Sequence, residues 1–131
     1  MNACRILLVD DEEELVTTLV ERLELRGIQA EAATSGKQAL ELMEKKDFQV
    51  AVIDLKMPGL SGVNVVDAIR NRHPRTKVLL ITGHGSEDGS NAEAPQGGYE
   101  VLLKPFSLNA LVERIHAVMK ISESAPDRRI Q

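Results

Sequence analysis

An alternation restricts the fold of this chain more than any other feature. Short unbroken apolar runs are followed, repeatedly, by stretches whose apolar residues recur at helical spacing. Arg5–Val9 carries Ile6, Leu7, Leu8 and Val9 and then meets Asp10-Asp11. A run so short, apolar on both faces, suits a strand buried on both sides of a parallel sheet. Glu12–Arg26 follows, with Leu15, Leu19 and Leu23 on one stripe and Val16 and Val20 beside them, and Gly27 stands where a helix C′ residue belongs.

The pattern continues. Ile28–Ala33 alternates apolar and polar, as an edge strand does. Ser35 and Gln38 have capping-box spacing ahead of a helix through Leu40 and Met43 to about Lys45. Val50–Asp54 is a second buried strand, Met57-Pro58-Gly59 a turn signal, and Val63–Arg72 a third helix stopped by His73-Pro74. Val78–Thr82 and the short Val101–Leu103 complete the strands. Ser107 caps a last helix carrying Leu108, Leu111, Val112, Ile115, Val118 and Met119. A crossover helix is also expected between Gly83 and Gly98, because parallel strands need one. That stretch holds Gly89, Ser90, Asn91 and Pro95, so the helix there is expected to be short or distorted.

The order is therefore (βα)5. Right-handed crossovers make it an open, doubly wound parallel sheet of the flavodoxin-like α/β class, strand order 2-1-3-4-5. Residues 1–121 form the domain, and residues 122–131 are expected to be a polar tail or a truncated linker.

Composition narrows the function classes. Of 131 residues 43% are hydrophobic, yet there is no Trp, one Tyr and two Phe, so the core must be aliphatic. The net charge of -4 and the lack of a basic cluster argue against direct nucleic-acid binding. No apolar run approaches the roughly 20 residues of a membrane span, and the N-terminus has no signal-peptide pattern. Cys4 is the sole cysteine and reads as a small apolar residue beside a strand. A cytoplasmic location is expected.

The residues that end the strands carry the chemistry. The first strand ends in Asp10-Asp11, the third in Asp54, the fourth in Thr82 and the fifth in Lys104. In a parallel sheet these ends share one edge, where ligands bind at the point of strand-order reversal. Three converging carboxylates are tolerable if a divalent cation sits among them or if one is protonated. An oxygen cluster with room for water suits Mg²⁺. A metal alone would not call for Thr82 and Lys104. Transfer of a phosphoryl group to Asp54 would, because its oxygens need an ammonium and a hydroxyl as well as the metal. Each residue alone has a structural reading: Asp10 and Asp11 as helix caps, Asp54 as a turn acid, Thr82 as a strand end, Lys104 as a surface lysine. Those readings do not explain why all five fall at one sheet edge.

Val9-Asp10-Asp11, Asp54-Leu55-Lys56-Met57-Pro58-Gly59 with Gly62, Ile81-Thr82-Gly83 and Lys104-Pro105-Phe106 together resemble the receiver domains of response regulators, over residues 5 to about 120. The resemblance implies that Asp54 is the phosphoacceptor. It implies a Mg²⁺ held directly by Asp11, largely through water by Asp10, and by Asp54 and the backbone carbonyl of Lys56. Thr82 would be the switch hydroxyl, Lys104 the paired lysine, and the Lys104-Pro105 bond cis. The phosphodonor would be a sensor histidine kinase or a histidine phosphotransfer protein, and the target an output domain or a downstream protein. Lys56 and His84, two residues after Asp54 and Thr82, would tune the phosphoryl lifetime. One departure stands out. Val101 occupies the switch position where the family often has Tyr or Phe, and Tyr99 is two residues away from it.

Three other functions compete for the same residues. An aspartate-nucleophile phosphatase would want a second Asp two residues after the nucleophile, where Asp54 has Lys56 and Asp10 has Glu12. A flavin mononucleotide carrier would want a phosphate-cradling loop where Asp10–Glu14 stands. An inactive pseudo-receiver used only as an interaction module would not need the full acidic, hydroxyl and lysine set.

Overall fold

The aliphatic runs form strands because both of their faces can be buried. The computed structural model describes residues 5–56, 62–83 and 100–130, with the side chains of the last helix described to Met119. The strands are β1 (Arg5–Val9), β2 (Gln29–Ala33), β3 (Val50–Asp54), β4 (Lys77–Thr82) and β5 (Glu100–Leu103). The helices are α1 (Glu13–Leu25), α2 (Gly36–Lys45), α3 (Gly62–Arg72) and α4 (Leu108–Ile130). All strand pairs are parallel, in the order β2-β1-β3-β4-β5. The crossover helix expected between β4 and β5, like the Met57-Pro58-Gly59 turn and Cys4, lies outside the described residues.

Alternation along each strand divides the core into two layers. Ile6, Leu8, Val50, Val52, Leu79 and Ile81 face α1 and α4, where Val16, Leu19, Leu23, Leu111 and Ile115 meet them. Leu7, Val9, Ala51, Ile53, Val78 and Leu80 face α2 and α3, where Ala39, Met43, Val65, Val66 and Ile69 meet them. Each fully buried aliphatic side chain contributes roughly 1.5–3 kcal/mol. Every residue of β3 is buried, whereas β2 begins on an exposed residue and has two half-buried ones, as an edge strand should.

Local signals set the helix ends. Gly27 has φ 82°, its N–H donates to Glu24 O and the Ile28 N–H donates to Leu23 O. That is the Schellman pattern, and only glycine takes that φ without strain. Ser35 Oγ accepts the Gln38 N–H at 3.1 Å. Gln38 Oε1 reaches one residue further back than in a capping box and accepts the Thr34 N–H at 2.8 Å. Ser107 Oγ accepts the Ala110 N–H at 3.0 Å and starts α4. The backbone of α4 is helical to Ile130, through the stretch expected as a polar tail.

Candidate functional site

Strand register decides which acids meet. β1 lies against β3 with Val9 opposite Ile53, so Asp10 and Asp54 leave the sheet side by side. Asp54 is opposite Ile81 of β4, and Thr82 is opposite Leu103 of β5, which puts Thr82 and Lys104 at the same edge. The edge is held by the backbone: the Asp10 N–H donates to Ala33 O, the Leu55 N–H to Ile81 O and the Lys104 N–H to Thr82 O.

Asp10 and Asp54 are buried and Asp11 is exposed. One carboxylate oxygen from each of the three lies within 4.8 Å of the others. Asp10 Oδ1 accepts the Glu12 N–H at 3.0 Å, and Asp54 Oδ1 accepts the Lys56 N–H at 3.0 Å. Both carboxylates are thus oriented by the turn that follows them. Lys104 Nζ donates to Asp54 Oδ2 at 3.2 Å and to Glu12 Oε1 at 3.4 Å. It also lies 2.9 Å from Asp10 Oδ2. The last contact is an ion pair outside hydrogen-bond geometry, so Asp10 Oδ2 is buried without a hydrogen-bond partner.

Burial pushes the Asp54 carboxyl above the usual aspartate range. The Lys56 N–H opposes this, the nearby Asp10 charge adds to it, and Lys104 again opposes it. Burial alone would lower the Lys104 ammonium, but the Asp10 and Asp54 carboxylates more than offset that and hold it above the usual lysine range. The donor chemistry fits a hard divalent cation. Three carboxylates converge, and a buried oxygen of Asp10 has no hydrogen-bond partner, which suits a Mg²⁺. Asp10, Asp11 and Asp54 could hold it.

Asp10, Asp11, Asp54 and Lys104 are therefore brought together, and Thr82 is placed at their edge. Lys56 reaches the site through its backbone, with its side chain exposed. Val101 is partly exposed on β5, and its carbonyl accepts from Arg114 of α4 at 2.7 Å. The Lys104-Pro105 bond is cis, as the resemblance implied. His84 and Tyr99 lie outside the described residues. Two features were not foreseen as parts of the site. Glu12 was read as the first residue of a helix, yet it contacts Lys104; its place beside Asp10-Asp11 was the available signal. In the sequence Gly62 stands out only as part of a motif. A Cβ there would lie 2.5 Å from Asp54 O and 2.6 Å from Leu55 Cα, so only a glycine lets α3 start against the backbone of Asp54.

Fold and site together define a flavodoxin-like α/β protein with an acidic, lysine-bearing crevice at the carboxyl ends of its strands. The family model for the response regulator receiver domain matches residues 6–116, and the chain belongs to that family, the receivers of two-component response regulators. It is 33% identical over 127 residues to the response regulator protein FleR of Pseudomonas aeruginosa, covering 95% of this chain and 27% of FleR. It is 36% identical over 118 residues to the transcriptional regulatory protein CpxR of Escherichia coli, covering 90% of this chain and 50% of CpxR. A solved receiver domain protein from Clostridium thermocellum superposes with a TM-score of 0.80 at 28% identity, covering 92% of this chain and 97% of the other. The chain thus spans half or less of the curated relatives it matches. Among the described residues no helix is long and apolar enough to cross a membrane.

Proposed function

We propose that Asp54 accepts a phosphoryl group and that the domain acts as a switch rather than as an enzyme with a turning-over substrate. The observation that carries this is the Asp54 carboxylate itself. It is buried, aimed by the Lys56 N–H and 3.2 Å from the Lys104 ammonium, beside two further acids. An Asp54 oxygen attacks the phosphorus of a phosphohistidine. The P–O bond forms as the P–N bond breaks, and the imidazole leaves with the electron pair. Asp10, Asp11, Asp54 and the Lys56 carbonyl would hold Mg²⁺, which when bound supplies charge neutralisation for the transferring group. Lys104 neutralises the same group from the other side, and the Thr82 hydroxyl donates to one of its oxygens.

The donor in this reading is a sensor histidine kinase or a histidine phosphotransfer protein, and the domain works in the cytoplasm. Residues 1–121 are the receiver, and residues 122–131 lead toward an output domain or end a regulator that acts on a separate protein. FleR and CpxR, both longer than this chain, support the first arrangement. Lys56 and His84 tune the lifetime of the acyl phosphate by ordering or crowding the attacking water; unchanged dephosphorylation in both alanine variants would sink that part. With Val101 at the switch position, Thr82 has no aromatic three residues before Lys104 to couple to.

Acetyl phosphate with Mg²⁺ should add one phosphoryl group, seen by intact mass, and Asp54→Asn should abolish it. Labelling that persists in Asp54→Asn, or that ignores removal of Mg²⁺, would overturn the assignment. No labelling of the unaltered protein would mean an inactive receiver. Many turnovers of phosphate release from a generic phosphomonoester would mean a phosphatase.

A further inference from the structure

Lys104 is surrounded by three carboxylates, and they are not equivalent. An ammonium has three N–H donors. Two are in hydrogen bonds, to Asp54 Oδ2 and Glu12 Oε1, and the ammonium also sits 2.9 Å from Asp10 Oδ2. A phosphoryl oxygen arriving on Asp54 therefore approaches an ammonium already ringed by three carboxylates. The carboxylate held least firmly is the one that gives way to it. The Asp10 and Asp54 side chains are 4% and 6% exposed, and each is pinned through its other oxygen by a backbone N–H. The Glu12 side chain is 64% exposed, so water can take over its carboxylate at little cost. Its backbone is fixed independently, because the Glu12 N–H donates to Asp10 Oδ1.

We propose that Glu12 is a placeholder for the phosphoryl group. It holds one donor of Lys104 in the unphosphorylated protein and gives it up to a phosphoryl oxygen when Asp54 is modified. No proton moves in this exchange; Glu12 leaves as a carboxylate into solvent and Lys104 stays an ammonium. Glu12 is a positioning residue for Lys104, not a ligand of the metal. The contact is a competitor, so it sets how tightly the site holds a phosphoryl-like anion and how readily it is loaded. The inference rests on Asp54 being the phosphoacceptor.

The test uses the whole chain with Mg²⁺ and beryllofluoride as a stand-in for the phosphoryl group, alongside labelling by acetyl phosphate. Mg²⁺ affinity is measured separately by calorimetry. Glu12→Gln should tighten beryllofluoride binding about two- to fivefold, the range spanned by an exposed ion pair, and speed labelling by a similar factor. Mg²⁺ affinity should not rise with it. Glu12→Asp keeps the charge but is one methylene too short for Lys104, so it should behave like Glu12→Gln. If Glu12→Asp matches the unaltered protein while Glu12→Gln does not, the effect is one of charge alone and the placeholder is refuted. Weaker binding of Mg²⁺ and beryllofluoride together in Glu12→Gln would make Glu12 a metal-site acid and also refute it. Equal beryllofluoride affinity in all three proteins refutes it while leaving Asp54 as phosphoacceptor. Failure of the unaltered protein to label or bind beryllofluoride would instead remove the function on which the inference rests.

Discussion

At the edge where the strands end, Asp10, Asp54 and Glu12 crowd one ammonium, and a buried oxygen of Asp10 has no hydrogen-bond partner. At the edge where the strands begin, polar groups stand apart, each on a structural task. The Arg5 N–H donates to Gln49 Oε1 at 2.6 Å, the Lys77 N–H to Gln49 O at 2.9 Å, and Thr76 Oγ1 to Phe48 O at 2.8 Å. Lys46 pairs with Glu31, and Arg72 with Glu44 at 3.5 Å. Lys45 and Arg72 also close α2 and α3, where cations complement the free carbonyls. A cavity of about 350 Å³ opens there among Lys46, Arg72 and Arg75, and two of these cations are already paired, with Glu31 and Glu44. Similar residue types thus tie the backbone together at one edge and gather around a single ammonium at the other.

Substitutions at the two edges should therefore differ in kind. The largest effect belongs to Lys104. Lys104→Met should slow acetyl-phosphate labelling by about 100-fold or more, as loss of a donor to a developing anion does. Arg75→Ala, at the opposite edge, should leave the rate as it is; mass spectrometry of labelled protein reads both. Gly62→Ala comes next. Its new Cβ must push back the Asp54 backbone or α3, at a cost of about 1–3 kcal/mol in urea unfolding, with slower labelling as well.

Asp54→Asn should change how stability depends on pH in Mg²⁺-free buffer. The folded carboxyl lies above its ordinary value, so the folded state holds its proton more tightly than the unfolded chain does. That contribution is fully present below the ordinary aspartate range and is lost as pH rises through the folded value. The asparagine variant has no such loss, so its stability advantage over the unaltered protein should widen with rising pH. Added Mg²⁺ should narrow the gap. Thermal melts from acid to neutral pH, with and without Mg²⁺, check the sign; a constant gap would contradict it. The smallest effect is at the opposite edge. Thr76→Val removes the bond to Phe48 O and should cost about 1 kcal/mol, with labelling unaffected.

Much of the fold could be read locally. β3 covers its apolar run and ends one residue past it, on Asp54, and every side chain in it is buried. β4 starts one residue before its run, because the Lys77 N–H pairs with Gln49 O and not because Lys77 is apolar. Ser35, Ser107 and Gly27 end or begin helices through bonds that span three to five residues, which is why they are visible as motifs. The site was legible to the extent that a residue ends a strand, since parallel strands all end at the same edge. Glu12 was not legible as a site residue. Its bond to Lys104 crosses 92 residues of sequence and depends on how α1 leaves β1. The close approach at Gly62 is likewise a distance between a helix start and a strand end, with no local pattern to mark it.

The sequence by itself determined the described strands and helices, the aliphatic core and which residues end the strands (Asp10, Asp11, Asp54, Thr82 and Lys104), because periodicity and strand termination are properties of neighbouring residues. The tertiary structure decided which acids are buried, which of them share the lysine and which one can let it go. Those are matters of distance and exposure, and they arise only when β1 is laid between β2 and β3 and the β5 end is brought against the start of α1.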